Sequence, residues 1–257
     1  MTTPRRTAWI IGGGSGIGAA AARKLAQAGW HVAISGRRRE MLEAVASANP
    51  RIQPYPLDVT DTVAIQRVLR QIVLDQGAID LFIYGAGAWS PMDIGDYEFS
   101  AFETVINTNL LGLVRVLNPL VKQMESQPAG GEIAIIASLV GYFGLPRAAA
   151  YNASKAALIS LAQTMRTELA PRNIAVRVVN PGFYKSELTA RNDFPMPLLL
   201  ETDAAADRML AGLFGSKRFE VAFPRRITFV MKLIRLLPYP LFFALTRLMM
   251  PKDPAQK

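Results

Sequence analysis

Thr7-Ala-Trp-Ile-Ile-Gly-Gly-Gly-Ser-Gly-Ile-Gly18 is the stretch that decides the fold of this chain. An apolar run from Thr7 ends at Gly12 in a glycine cluster, and an alanine-rich stretch from Gly16 to Ala28 follows, closed by Gly29. The pattern predicts a buried strand, a tight turn and a helix. Backbone amides and the helix dipole at such a turn can receive a pyrophosphate, and glycine lets the phosphate approach closely. A glycine cluster alone also suits a plain flexible turn, so its context decides.

Working outward, His31 to Ser35 reads as a second strand. Helix 38–48, strand 52–57, helix 61–76, strand 79–84, helix 99–125, strand 132–137, helix 148–170 and strand 174–179 continue the alternation. Ile133 to Ala137 and Ile174 to Val179 are continuous apolar runs, as strands buried on both faces are. The expected fold is α/β: a doubly wound parallel sheet, Rossmann-like, in three αβα layers, forming one domain over 1–223. After Pro181 the texture changes. Residues 183–215 read as a substrate-covering segment, aperiodic to about 200 and then helical from Thr202 to Phe214. A strand Phe219 to Phe223 completes the sheet, and 224–257 form an apolar, basic tail in which Pro238 and Pro240 interrupt any long helix.

Composition narrows the chemistry. With 257 residues, 51% hydrophobic and 19% charged, the chain is globular, not disordered or collagen-like. The absence of cysteine excludes a disulfide framework, a thiolate nucleophile and cysteine-ligated metal centres. His31 is the one histidine, so no metal site is expected and serine-hydrolase chemistry has a single imidazole to run through. Thr7 to Ile11 is too short for a signal-peptide apolar region, which predicts a cytoplasmic protein. The net charge is +9, yet from Lys217 onward nine basic residues face only Glu220 and Asp253, which puts +7 in the tail. Nucleic acid is therefore not an expected partner, and any electrostatic partner belongs to the tail.

Where a carboxylate would hold the ribose hydroxyls of a dinucleotide, the chain reads Ser35-Gly36-Arg37-Arg38-Arg39. A carboxylate would repel a 2′-phosphate, whereas Arg37 can pair with one, so NADP(H) is favoured over NAD(H). A solvated basic helix start is the plainer alternative. Further on, Tyr151 and Lys155 stand at i and i+4 on one helix face. A free phenol has a pKa of about 10, and a neighbouring cation, reinforced by an oxidised nicotinamide, is expected to lower it towards neutrality. Ser138, at the carboxyl end of a strand, is placed to hydrogen-bond a substrate oxygen.

The spacing of Gly12, Gly16 and Gly18 departs from GxGxxG and resembles the TGxxxGxG turn of the short-chain dehydrogenase/reductase family. The ordered set of glycine turn, Asp58, Ala86-Gly87, Asn109, Ser138, Tyr151, Lys155 and Pro181-Gly182 extends the resemblance from about residue 7 to 222. It implies a catalytic tetrad of Asn109, Ser138, Tyr151 and Lys155, with Asn109 holding water near Lys155. It also implies a cofactor site made of Gly12, Ser15, Gly16, Ile17 and Gly18 at the turn and Arg37 beside it. Asp58 and Val59 contact adenine there, with Ala86 and Gly87 nearby; Tyr151 and Lys155 meet the nicotinamide ribose, and Pro181 and Gly182 the nicotinamide. Two departures stand out: Ile11 replaces the opening threonine, and Tyr84-Gly85-Ala86-Gly87 replaces Asn-Asn-Ala-Gly. Both put local hydrogen bonding around the central strand in doubt.

The resemblance implies an oxidoreductase in which hydride passes between NADP(H) and a carbonyl or alcohol while Tyr151 exchanges the proton. A cofactor-sensing binding protein on the same fold is the alternative. Trp89, Leu139, Tyr142, Phe143, Leu145, Phe183, Tyr184, Phe194 and Met196 are the residues expected to flank the substrate, and their apolar character suits a lipophilic small molecule. A homo-oligomer is expected. In the tail, Ile227 to Leu237 places Thr228, Lys232 and Arg235 on one helical stripe amid apolar residues. Too short to span a bilayer, this segment either packs as a helix pair on the domain or a partner subunit, or makes a peripheral membrane contact through 225–250.

Overall fold

The computed structural model describes residues 6–192 and 196–250. Seven strands form the sheet: β1 (Thr7–Ile11), β2 (His31–Gly36), β3 (Ile52–Pro56), β4 (Leu81–Tyr84), β5 (Gly131–Ile136), β6 (Ile174–Pro181) and β7 (Glu220–Phe223). All pair in parallel, in the order β3-β2-β1-β4-β5-β6-β7. The order reverses between β1 and β4, so the loops leaving those two strands open a crevice at the carboxyl ends of the sheet.

Alternation along each strand sends side chains to two cores. On one face Trp9, Ile11, Phe82 and Ile135 meet α3 (Thr62–Gln76), α5 (Gly112–Glu125) and α6 (Ala149–Leu169) through Ile65, Leu69, Leu113, Val116 and Leu158. On the other, Ala8, Ile10, Ile34 and Ile83 meet α1 (Gly16–Gln27), α2 (Arg39–Ala46) and α7 (Thr202–Gly215). Alanines 19 to 22 of α1 are all buried, and their small side chains bring α1 close to the sheet and to α7. Lys24 and Asp207 close that helix pair with a 2.8 Å ion pair.

The helix expected over 99–125 is not uniform. It begins as α4 (Phe99–Ile106), widens into a π-helical turn at Asn107–Leu111 and resumes as α5. By length and composition this 27-residue helix is apolar enough to cross a membrane. It instead lays Leu113, Val116, Leu120 and Met124 against the sheet, as a core helix does.

The covering segment expected over 183–215 divides in two. The described residues of the covering loop, 184–192 and 196–200, are closed by the Lys185 amide on the Leu200 carbonyl (2.9 Å) and the Leu200 amide on the Phe183 carbonyl (3.0 Å). Helix α7 belongs to the scaffold, because Ala205, Ala206, Met209 and Leu213 are buried in the core beside α1. Beyond β7 the tail forms α8 (Arg225–Arg235) and α9 (Tyr239–Arg247), with Pro240 tolerated in the first turn of α9.

Candidate active site

The glycine turn leaves β1 with Gly12 at φ 86°, a left-handed conformation that side chains rarely adopt. A Cβ at Gly12 would also lie 2.6 Å from the Gly85 backbone in the loop after β4, so the two crevice loops touch here. The Gly12 and Gly13 amides donate to the Ser35 carbonyl (2.8 and 3.1 Å), tying the turn to the end of β2. Ser35 is itself fixed by the Trp9 indole, whose Nε1 donates to its hydroxyl at 3.0 Å. The turn, Gly36, Arg37, Arg38, Met41 and Leu42 line a cleft of about 120 Å³. A larger cleft of about 470 Å³ lies at the opposite end of the sheet, around Asp80, Glu132 and Asn173, away from this chemistry.

Of the basic run after β2, Arg37 lies near Asp58 and Arg38 reaches across the turn. Burial works to raise the Asp58 carboxyl, yet hydrogen bonds from the Thr60 amide (2.9 Å) and hydroxyl (2.8 Å), with the Arg37 and Arg115 charges, hold it below its ordinary value. Arg38 makes a two-pronged ion pair with Glu187 (2.7 and 3.1 Å), and its Nη2 is 3.4 Å from the Ser15 hydroxyl. The turn and the covering loop are close elsewhere too, since a Cβ at Gly16 would meet Ser186 and Tyr184 at 3.8 and 3.9 Å.

Ser138, Tyr151 and Lys155 come together at the carboxyl end of β5. Ser138 follows the strand, begins a 3₁₀ turn at Leu139–Tyr142, and accepts from the Val140 amide at 3.3 Å. Its hydroxyl also bonds the Tyr151 phenol. Lys155 Nζ donates to the Ile136 carbonyl at 2.9 Å and stands 5.5 Å from the centroid of the Tyr151 ring. Pro181 and Gly182 flank the site, the Gly182 amide donating to the Phe223 carbonyl at 2.7 Å.

The electrostatics differ from expectation. Burial, reinforced by the neighbouring Tyr184, raises the Tyr151 phenol above its ordinary value, and the Ser138 hydrogen bond only partly offsets this. Burial brings Lys155 down to about 8. The expected lowering of Tyr151 by Lys155 does not emerge from the protein's own groups, because taking both groups out of water penalises the charged form of each. Tyr184, also pushed up by burial to about 12, is a second phenol beside the first.

Asn109 occupies the π-helical turn and is fully buried. Its Oδ1 accepts from the Ala88 amide (2.7 Å), while its Nδ2 donates to the Ala88 carbonyl (3.1 Å) and the Ser154 hydroxyl (2.9 Å). Asn109 thus clamps the loop after β4 to α6. Both side-chain donors of Asn109 are used in this clamp. The Tyr84 departure resolves in the same place: its hydroxyl donates to the Thr108 carbonyl at 2.6 Å, satisfying a group that the widened turn releases. Glu187 and Ser154 are contributors that the sequence does not single out, and Arg38 and Tyr84 stand out in it without a role assigned in the site.

The expected substrate-flanking residues separate. Trp89 and Tyr151 meet edge to face, 5.3 Å apart, and Tyr184 borders the same phenol. Leu139 and Tyr142 are buried in the scaffold, and the Tyr142 hydroxyl is tied to Glu220. Phe143 packs on Phe242 of α9, with ring centroids 5.4 Å apart. Leu145 and Met196 are partly buried, the latter within 3.3 Å of the Asn192 amide; Phe183 is partly buried too, and Phe194 lies outside the described residues.

Residues 6–194 match the short chain dehydrogenase family, and the chain belongs to it. A relative from Myxococcus xanthus, known as an uncharacterized oxidoreductase, is 35% identical over 246 residues, covering 94% of this chain and 96% of its own. A 3-oxoacyl-[acyl-carrier-protein] reductase from Thermotoga maritima is 35% identical over 217 residues, covering 83% and 85%. The crystal structure of a short chain dehydrogenase from Burkholderia cenocepacia in complex with NADP is 26% identical, with a TM-score of 0.82 over 98% of this chain and 100% of that one. Family membership makes the chain an NAD(P)-dependent dehydrogenase or reductase.

Proposed function

We propose that the protein is an NADP(H)-dependent reductase of a lipophilic ketone or aldehyde, with Tyr151 as proton donor. The observation that carries this is the hydrogen-bonded pair of Ser138 and Tyr151 with Lys155 Nζ 5.5 Å from the phenol ring, at the crevice end of the sheet. The cofactor assignment is supported by the bare glycine turn beside Arg37 and Arg38, and by the way Arg38, whose Nη2 also reaches the Ser15 hydroxyl, already holds an anionic group, the Glu187 carboxylate. Gly12, Ser15, Gly16, Ile17 and Gly18 would hold the pyrophosphate, Arg37 and Arg38 the 2′-phosphate, and Asp58 and Val59 the adenine. Ala86, Gly87, Tyr151, Lys155, Pro181 and Gly182 would hold the nicotinamide half.

When bound, NADPH supplies the hydride to the carbonyl carbon. The chain's own residues handle the proton. A phenol held protonated by burial is the form that donates, so Tyr151 gives its proton to the carbonyl oxygen as negative charge develops there. Ser138 donates a second hydrogen bond to that oxygen. The phenolate left on Tyr151 is stabilised by the Lys155 ammonium. Asn109 acts at one remove by fixing Ala88 against α6.

The Trp89 indole N–H is buried beside Tyr151 with no partner among the described residues. A substrate carrying a second acceptor oxygen, such as a 3-oxo ester or thioester, would satisfy it. The Thermotoga relative's name supports that class. The homo-oligomer belongs to the same proposal, supported by Leu111 and Val114, 38% and 44% exposed on the π turn and α5. NADPH consumption over a panel of 3-oxoacyl thioesters, aliphatic ketones and aromatic ketones tests the function. Turnover with the apolar members supports it, and turnover confined to small polar carbonyls overturns the lipophilic assignment.

A further inference from the structure

Helix α8 meets the domain through buried Thr228 and half-buried Ile227, Met231 and Ile234, while at the edge of that face Lys232 pairs with Glu220 and the Arg235 charge acts on Tyr142. Glu220 anchors this contact, accepting also from Asn180 Nδ2 (2.7 Å) and from the Tyr142 hydroxyl. A second apolar face is left outside. Phe229, Val230, Leu233, Leu236 and Leu237 are 64, 52, 49, 78 and 36% exposed, and they recur at the spacing of one helix face. Helix α9 extends the surface with Tyr239, Leu241 and Phe243 at 75, 59 and 52%, the Tyr239 and Phe243 rings stacked 5.7 Å apart. A contiguous exposed apolar surface of this kind marks an interaction site.

Charge selects the occupant. Residues 221–252 contain no carboxylate, and Arg225, Arg226 and Arg247 are exposed with no ion pair among the described residues. A second copy docked face to face would bring these cations together without an acidic partner. Anionic lipid headgroups complement them, and an apolar helix face bordered by arginines is the form that lies in a bilayer interface. At eleven and nine residues, α8 and α9 are too short to span.

We propose that α8 and α9 dock the protein on an anionic lipid surface. Phe242 of α9 packs on Phe143, directly after the turn that Ser138 begins, so docking brings the substrate side of the site to the bilayer. The docking rests on the tail alone; the delivery of a lipophilic substrate rests on the proposed function.

The test is flotation of the full chain with vesicles of phosphatidylcholine alone or with one quarter phosphatidylglycerol, at low and high salt. Binding is expected to the anionic vesicles at low salt, and Leu233→Asp with Phe243→Asp should abolish it while the protein keeps its melting temperature and its turnover of a water-soluble carbonyl. Arg225→Ala with Arg226→Ala should weaken partition by about 25-fold, at about fivefold per cation near the surface. Three results would overturn docking: a full chain that does not float with anionic vesicles, binding insensitive to these substitutions, or a Leu233/Phe243 variant whose only change is conversion of a dimer to a monomer. Loss of turnover with intact flotation would count against the proposed function alone.

Discussion

Arg38 and Glu187, 149 positions apart in the chain, close a two-pronged ion pair over the glycine turn, with Nη2 2.7 Å from Oε2. One residue starts the segment after β2 and the other belongs to the covering loop, so the pair joins the two walls of the cofactor crevice. Both side chains are about half exposed, at 52 and 53%, which leaves the pair little weight in stability. On the proposed function its weight falls on binding, because the carboxylate occupies the guanidinium that a 2′-phosphate would use.

Glu187→Gln should therefore tighten NADPH by about two- to fivefold and leave NADH unchanged, as expected for removing an exposed competitor. Fluorescence titration of both nucleotides reads this. Equal shifts for the two would separate Glu187 from the phosphate site.

Arg37→Ala and Arg38→Ala should each weaken NADPH selectively, by about ten- to a hundredfold for a lost charge-assisted contact. Loss of NADH affinity to the same degree would assign both arginines to structure instead.

On the proposed mechanism Lys155 sets the pH dependence. With its ammonium brought down to about 8 by burial, it is charged below that pH and neutral above. The charged form stabilises the developing phenolate, so kcat/KM for NADPH in the reductive direction should be level below pH 7 and fall as pH rises through about 8. A rate that climbs through pH 8 would mean that neutral Lys155 is the active form. Lys155→Ala should lower kcat by orders of magnitude at every pH.

Much of this was legible in the chain. The order of strands and helices follows from apolar periodicity, and the boundaries moved by only a few residues, as for β6, which runs to Pro181 where 179 was expected. Ser138, Tyr151 and Lys155 converge because a strand end and one helix face determine their positions. The π-helical turn was not legible, since one extra residue per turn hardly disturbs an apolar pattern. Nor was the orientation of α8: periodicity tells which residues share a face, while packing of Thr228, Met231 and Ile234 on the domain, with Lys232 on Glu220 at the edge, decides which face is left exposed. The partner of Arg38 lies 149 residues away, and only the tertiary fold supplies it.

Gly112 tests the Tyr84 arrangement. A Cβ there would overlap the Tyr84 hydroxyl and lie 2.7 Å from Val59 Cγ2, so Gly112→Ala should destabilise by roughly 1–3 kcal/mol. Tyr84→Phe in the same chain should recover part of that loss by removing the hydroxyl. Urea unfolding of the two single variants and the double variant measures the coupling, and strict additivity would place the two residues out of contact.

Proton delivery by Tyr151 in the proposed NADPH-dependent carbonyl reduction is read by stopped-flow NADPH oxidation with the parent and with Tyr151→Phe. Turnover is expected in the parent with a ketone substrate, faster with NADPH than with NADH. Tyr151→Phe should keep its NADPH affinity, with turnover reduced at least about a hundredfold, the lower end for a lost general acid. A Tyr151→Phe variant that reduces the ketone at the parental rate would contradict it, as would a parent that binds NADPH yet turns over no carbonyl, the behaviour of a cofactor sensor.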